Sequence, residues 1–217
     1  MKIERRDTAP EAVELRVEER EGGGLVLSGL AAVFHRQSNP GTEYQLWPGV
    51  VEWIDDAAFD RALDEGQDVR ALVNHDPDHI LGRTKADTLR LAKRERGLRY
   101  EIDLPDTQAG RDIAESVRRG DISGSSFAFR VTQEEWIEDK THKREVRVIK
   151  DVDLFDVGPV VFPAYAATSA GVRADGDCDE AKRMHDEWIV AQAQQRLRAA
   201  AWRRYHLACE EAGIAPS

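Results

Sequence analysis

Short runs of alternating apolar and polar residues, cut by glycine and proline, fill most of the chain. Val13, Leu15 and Val17 alternate with charged residues, Glu21-Gly22-Gly23-Gly24 breaks the run, and Leu25-Val26-Leu27-Ser28-Gly29-Leu30 resumes it. A period of two interrupted by glycines predicts an opening β-hairpin. Residues 34–53 contain Asn39-Pro40-Gly41 and Trp47-Pro48-Gly49, two turn signals that predict an irregular excursion. Next, Asp55 or Asp56 is placed to cap a short helix with Phe59, Ala62 and Leu63 on one face and a stop at Gly66. Residues 69–73 form a brief apolar strand that delivers the chain to Asn74-His75-Asp76-Pro77. Leu98, Tyr100, Ile102 and Leu104 alternate up to Pro105, and Thr107 can cap a helix bearing Ile113, Ala114 and Val117 that Gly120 ends.

The stretch Gly120-Asp121-Ile122-Ser123-Gly124-Ser125-Ser126-Phe127-Ala128-Phe129 comes next. In an extended segment Phe127, Phe129 and Val131 point one way, while Ser126, Ala128 and Arg130 point the other. The aromatics claim the core, so Ser126 faces away from it, and Gly124 and Ser125 leave room for a close approach. An edge strand with a serine on its wet face satisfies the same pattern. Residues 134–148 then read as a hairpin with its polar tip at Asp139-Lys140-Thr141-His142. In the strand that follows, Asp156 is expected on one face with Val152, Leu154 and Val160. A carboxylate on an apolar face costs roughly several kcal/mol unless it is paired, so Asp156 is predicted to have a partner.

At 217 residues the chain can hold one domain with a full core plus an appendage. We place the first over residues 1–174 and a linker with a helical tail over 175–217. The linker signal is Ala174-Asp175-Gly176-Asp177. Beyond it the composition is helical, with Met184, Trp188, Ala191, Gln195, Trp202 and Tyr205 on one stripe. Lys and Arg number 31 against 41 Asp and Glu, a net charge of −10, which disfavours nucleic acid as the main partner. The opening residues lack a signal-peptide run, and no later run is long enough to cross a bilayer, so a cytoplasmic location without membrane is expected. Cys178 and Cys209 have neither metal-site nor disulfide-framework spacing and read as reduced thiols.

A serine becomes nucleophilic at neutral pH through a base, and histidine is the usual one. His75, at a strand end, is the candidate for Ser126. His35 precedes a loop, His142 lies at a hairpin tip, and His185 and His206 belong to the tail. His79 competes, because His75, Asp76, Asp78 and His79 also make a loose metal-ligand cluster. Pro77 argues against a helix that would put both histidines on one face.

Several motifs in one order resemble the prohead proteases of tailed phages, capsid maturation serine proteases similar in fold to the herpesvirus assemblins. These are Asn74-His75-Asp76-Pro77, Leu81-Gly82-Arg83-Thr84, Gly97-Leu98, Pro105 and Gly110, residues 120–127, Leu154-Phe155-Asp156-Val157-Gly158, and Phe162-Pro163-Ala164-Tyr165. The resemblance covers roughly residues 13–174. It implies an α+β protein, mainly an antiparallel β-barrel flanked by helices, with the helical extension at the C-terminus. It also implies a Ser-His-acid site of His75, Ser126 and Asp156, with no cofactor and no metal. Ser125 is the fallback nucleophile; backbone amides near the nucleophile or at a strand end are the expected oxyanion donors, with Arg130 and Arg83 as secondary candidates. The third position holds histidine in the herpesvirus relatives and more usually glutamate in the phage ones. Phage relatives often place a serine where this chain has Gly158.

The implied substrate is protein: a scaffold, or the scaffolding segment of the major capsid protein, inside the immature shell in the host cytoplasm, with self-cleavage. The herpesvirus relatives point to a homodimer. The tail helix is expected either to dock the enzyme on scaffold or to pack on its own barrel. Two other classes stand beside this reading: a metal-dependent hydrolase centred on His75 and His79, and a catalytically silent assembly protein that binds scaffold.

Overall fold

The computed structural model describes residues 2–8, 10–39, 42–162 and 179–212, and of the last stretch the side chains of 181–204. Pro40-Gly41, Pro163-Ala164-Tyr165, the expected linker Ala174-Asp175-Gly176-Asp177 and Cys178 lie outside the described residues, as do the side chains of Tyr205, His206 and Cys209. The chain divides into two units, 1–177 and 178–217. Within the second, α4 (Asp179–Ala212) is one long helix with an Arg183–Glu187 pair one turn apart. On it Ile189, Val190, Leu197 and Trp202 are exposed. No helix among the described residues is long and apolar enough to cross a membrane.

The first unit is α+β. Its strands are β1 (Glu4–Thr8), β2 (Arg16–Glu19), β3 (Leu25–Val33), β4 (Tyr44–Trp47), β5 (Val50–Ile54), β6 (Arg70–Val73), β7 (Asp76–Arg83), β8 (Leu89–Arg94), β9 (Gly97–Asp103), β10 (Gly124–Asp139) and β11 (Arg144–Val160). Its helices are α1 (Pro10–Val13), α2 (Asp60–Asp64) and α3 (Gln108–Arg119). One sheet runs β1-β10-β11-β5-β4, with β6 and β7 attached to β11 through β6; the other runs β2-β3-β9-β8. The pairing among the described residues makes two sheets that share a core and does not close into a barrel.

Periodicity located several elements. Thr107 caps α3 by accepting from the Gly110 N–H at 3.2 Å, and Gly120 ends it in the left-handed region at φ 80°. The opening hairpin is β2–β3, although Val13 sits in the short helix α1 and not on the strand. Asp55 accepts from the Ala57 N–H, and α2 begins a turn later than expected. Where an irregular excursion was expected, Trp47-Pro48-Gly49 joins β4 to β5 in a hairpin. Residues 76–83, to which no element was assigned, form β7 and pair with β6.

Strand β1 was not anticipated, because Glu4-Arg5-Arg6-Asp7-Thr8 has no apolar position. Its alternation is written in charges: Glu4, Arg6 and Thr8 are buried. Arg6 bonds Glu52 of β5 at 2.6 Å through Nε and Glu4 at 2.6 Å through Nη2. Arg147 of β11 reaches Glu4 at 2.8 Å, Glu52 at 3.0 Å and Glu134 of β10 at 2.5 Å. Burial alone pushes the Glu4 carboxyl up, but its bonds and charges from Arg147 and Arg6 outweigh that and hold it below its usual value. Phe127 and Phe129 stack at 4.8 Å in the main core with Leu98, Tyr100 and Ile102 of the other sheet.

Candidate active site

The nucleophile candidate sits on an interior strand. β1 pairs with β10 on one side, Asp7 opposite Ser126, and β11 pairs on the other, Gly158 opposite Ser126. Ser126 is fully buried, so the wet edge strand that its pattern also allowed is not what forms. Ser125 points to the core instead. Its hydroxyl donates to the Tyr100 OH at 3.1 Å and the Gly158 carbonyl at 3.2 Å, which ties the two sheets together. Burial pushes the Tyr100 phenol well above its ordinary range.

Asp156 reaches the Ser126 face through a β-bulge. Ala128 pairs with Asp156 but Phe129 pairs with Leu154, so Phe155 is the extra residue. One additional residue inverts the alternation beyond it. Leu154 and Val157 therefore both face the core, and Asp156 joins Ser126 on the opposite face. Asp156 does have a partner, but it does not share the apolar face of Leu154.

His75 is delivered by the turn between β6 and β7. Asn74 and His75 are both left-handed, at φ 53° and 58°, a conformation that costs a non-glycine residue about 1–2 kcal/mol. The turn is brought over Ser126 because β6 lies against β11, where Arg70 and Ala71 pair with Asp156 and Val157. Gly158 permits that approach. At its φ of +155° an added Cβ would stand 2.0 Å from the Leu72 carbonyl oxygen. The close packing of β6 accounts for glycine at this position.

The three side chains form one line. His75 Nδ1 lies 2.5 Å from Asp156 Oδ1, and His75 Nε2 lies 2.6 Å from Ser126 Oγ. The His75 and Asp156 side chains are only 10% and 13% exposed, so these bonds are shielded from water and correspondingly strong. An imidazole that donates its Nδ1–H to a carboxylate keeps a lone pair on Nε2 facing the hydroxyl. The Ser126 hydroxyl also donates to the Arg6 main-chain carbonyl at 3.0 Å. One proton is thus shared between two acceptors. Nothing in the charged β1 segment announces this contact, and a sequence pattern without an apolar position could not have found it.

The remaining candidates are engaged elsewhere. His79 pairs with Asp76 at 3.0 Å on the exposed surface, while both His75 nitrogens face Asp156 and Ser126. Among the described residues no set of three His, Cys, Asp or Glu side chains is arranged to hold a metal ion. Arg83 forms a two-pronged pair with Asp68, and Arg130 pairs with Asp153 beside the Phe155 ring. Bonds from Arg130 and Arg61 hold the Asp153 carboxyl down at about 2. Both guanidinium groups are thus engaged by carboxylates.

The model of the Peptidase S78 family, caudovirus prohead serine protease, matches residues 11–183. No curated protein matches the chain. Among solved structures, that of the bacteriophage T4 capsid assembly protease is similar over 73% of this chain and 96% of its own, with 14% identity and a TM-score of 0.43.

Proposed function

The chain belongs to the caudovirus prohead serine protease family, and on that premise we propose that it is a serine endopeptidase of capsid maturation with Ser126 as nucleophile, His75 as base and Asp156 as orienting acid. The observation that carries the reading is the unbroken line from Asp156 through His75 to Ser126, with separations of 2.5 and 2.6 Å. Ser126 Oγ attacks the scissile carbonyl carbon as His75 Nε2 takes its proton, and Asp156 stabilises the imidazolium that results. The C–N bond breaks as His75 returns that proton to the leaving amine. Water, deprotonated by His75 in turn, then releases the acyl group from Ser126.

The substrate in this reading is the scaffold, or the scaffolding segment of the major capsid protein, within the immature shell, together with the protease itself. Coexpression with those proteins, followed by intact mass, tests it. The native chain is expected to give defined truncation products, and Ser126→Ala to give none while keeping the same fold by circular dichroism. Undiminished cleavage by Ser126→Ala would reject the assignment.

A further inference from the structure

We propose that Asn74 is a positioning residue that holds the His75 ring on the line between Ser126 and Asp156; the proposal rests on the reading of His75 as base. Asn74 and His75 are consecutive left-handed residues without a glycine, at φ 53° and 58°. Such a turn persists only where its surroundings hold it. Two bonds from Asn74 do so, and both run to the end of β11. Its N–H donates to the Pro159 carbonyl at 3.1 Å, and its Oδ1 accepts from the Val161 N–H at 2.9 Å. The outer part of the turn closes on itself, Asp76 accepting from the Asp78 N–H and pairing with His79.

Strand β11 is also the strand that presents Asp156 and Gly158. Asn74 therefore references the imidazole to the same piece of backbone that carries its carboxylate partner, and the two keep register when the sheet flexes. Asparagine suits the position twice. It tolerates the left-handed region better than most side chains, and its short amide supplies the acceptor that reaches across. Displacing a reacting group by an ångström costs about 100-fold in rate, so loosening this tether has a measurable consequence.

The test uses the full chain and two readouts: labelling of Ser126 by a fluorophosphonate probe, followed by intact mass, and the NMR resonance of the His75 Nδ1–H. Asn74→Gly keeps the turn conformation and loses the acceptor, Asn74→Ala loses both, and Asn74→Asp keeps both. We expect labelling to fall about 10-fold for the glycine variant and about 100-fold for alanine. The Nδ1–H signal should weaken in the same order, with both readouts largely restored in Asn74→Asp. Glycine and alanine variants that label at the native rate and keep the resonance overturn the proposal, and so does an aspartate variant no better than alanine. If the native chain does not label at all, the protease reading fails instead, and the Nδ1–H resonance across the three variants still decides for or against the tether.

Discussion

The long β10–β11 hairpin carries two polar clusters of opposite character. Around Arg147, every guanidinium nitrogen is spoken for: Nε by Glu134, Nη1 by Glu4 and Glu52, and Nη2 by Glu4 and Glu134. Around His75, one hydroxyl proton faces two acceptors, and two left-handed residues hold the ring in place. The first cluster is saturated, which suits a structural joint. The second keeps a surplus acceptor and local strain, which suits a group that must change partners during a reaction.

The contrast is open to attack from either side, beginning where the effect should be greatest. Asp156→Asn keeps the shape of the His75 cluster but removes the charge beside the imidazole, and on the proposed reading cleavage of coexpressed capsid protein should fall about 10⁴-fold with little change in melting temperature. A variant that melts far lower would make Asp156 structural as well. Arg147→Met does the reverse. It leaves buried carboxylates uncompensated, and urea denaturation should register a loss of about 3–5 kcal/mol, while the folded fraction still cleaves. If instead cleavage vanishes at full stability, the two clusters are not separable as described. The smallest effect separates neighbouring serines: Ser125→Ala should cost about 1 kcal/mol through its lost bond to Tyr100 and leave cleavage within a few-fold of native. Abolished cleavage in that variant would move the nucleophile from Ser126 to Ser125.

Much of the Ser126–His75–Asp156 cluster was legible in the sequence because it lies on apolar alternation. Phe127 and Phe129 take the core, so Ser126 must face away, and His75 falls where a short apolar strand stops. The Asp156 side was harder to read. The bulge at Phe155 inverts alternation without leaving a glycine or proline as a mark, so strict period-two counting put Asp156 beside Leu154. The saturated cluster was not legible at all. Glu4 and Arg6 look like a solvated run until Glu52 and Arg147, far away in sequence, bury them by pairing. Pairing of that kind is a property of tertiary structure, and hydropathy along one strand does not report it. The two-sheet arrangement escaped in part for a related reason, since β1 is written in charges, whereas β4 and β5, with Val50, Val51 and Ile54 buried, carry apolar residues that the turn signal Trp47-Pro48-Gly49 masked.

On the proposed assignment of Ser126, the flanking of β10 on both sides limits how a polypeptide can be presented to it. Because β1 and β11 occupy the two hydrogen-bonding margins of β10 at Ser126, an incoming chain cannot enlist as one more rung of that ladder while β1 stays docked. In the proposed reading it meets Ser126 from the face where His75 stands, and any ladder-like pairing of its amides falls to an edge other than those of β10.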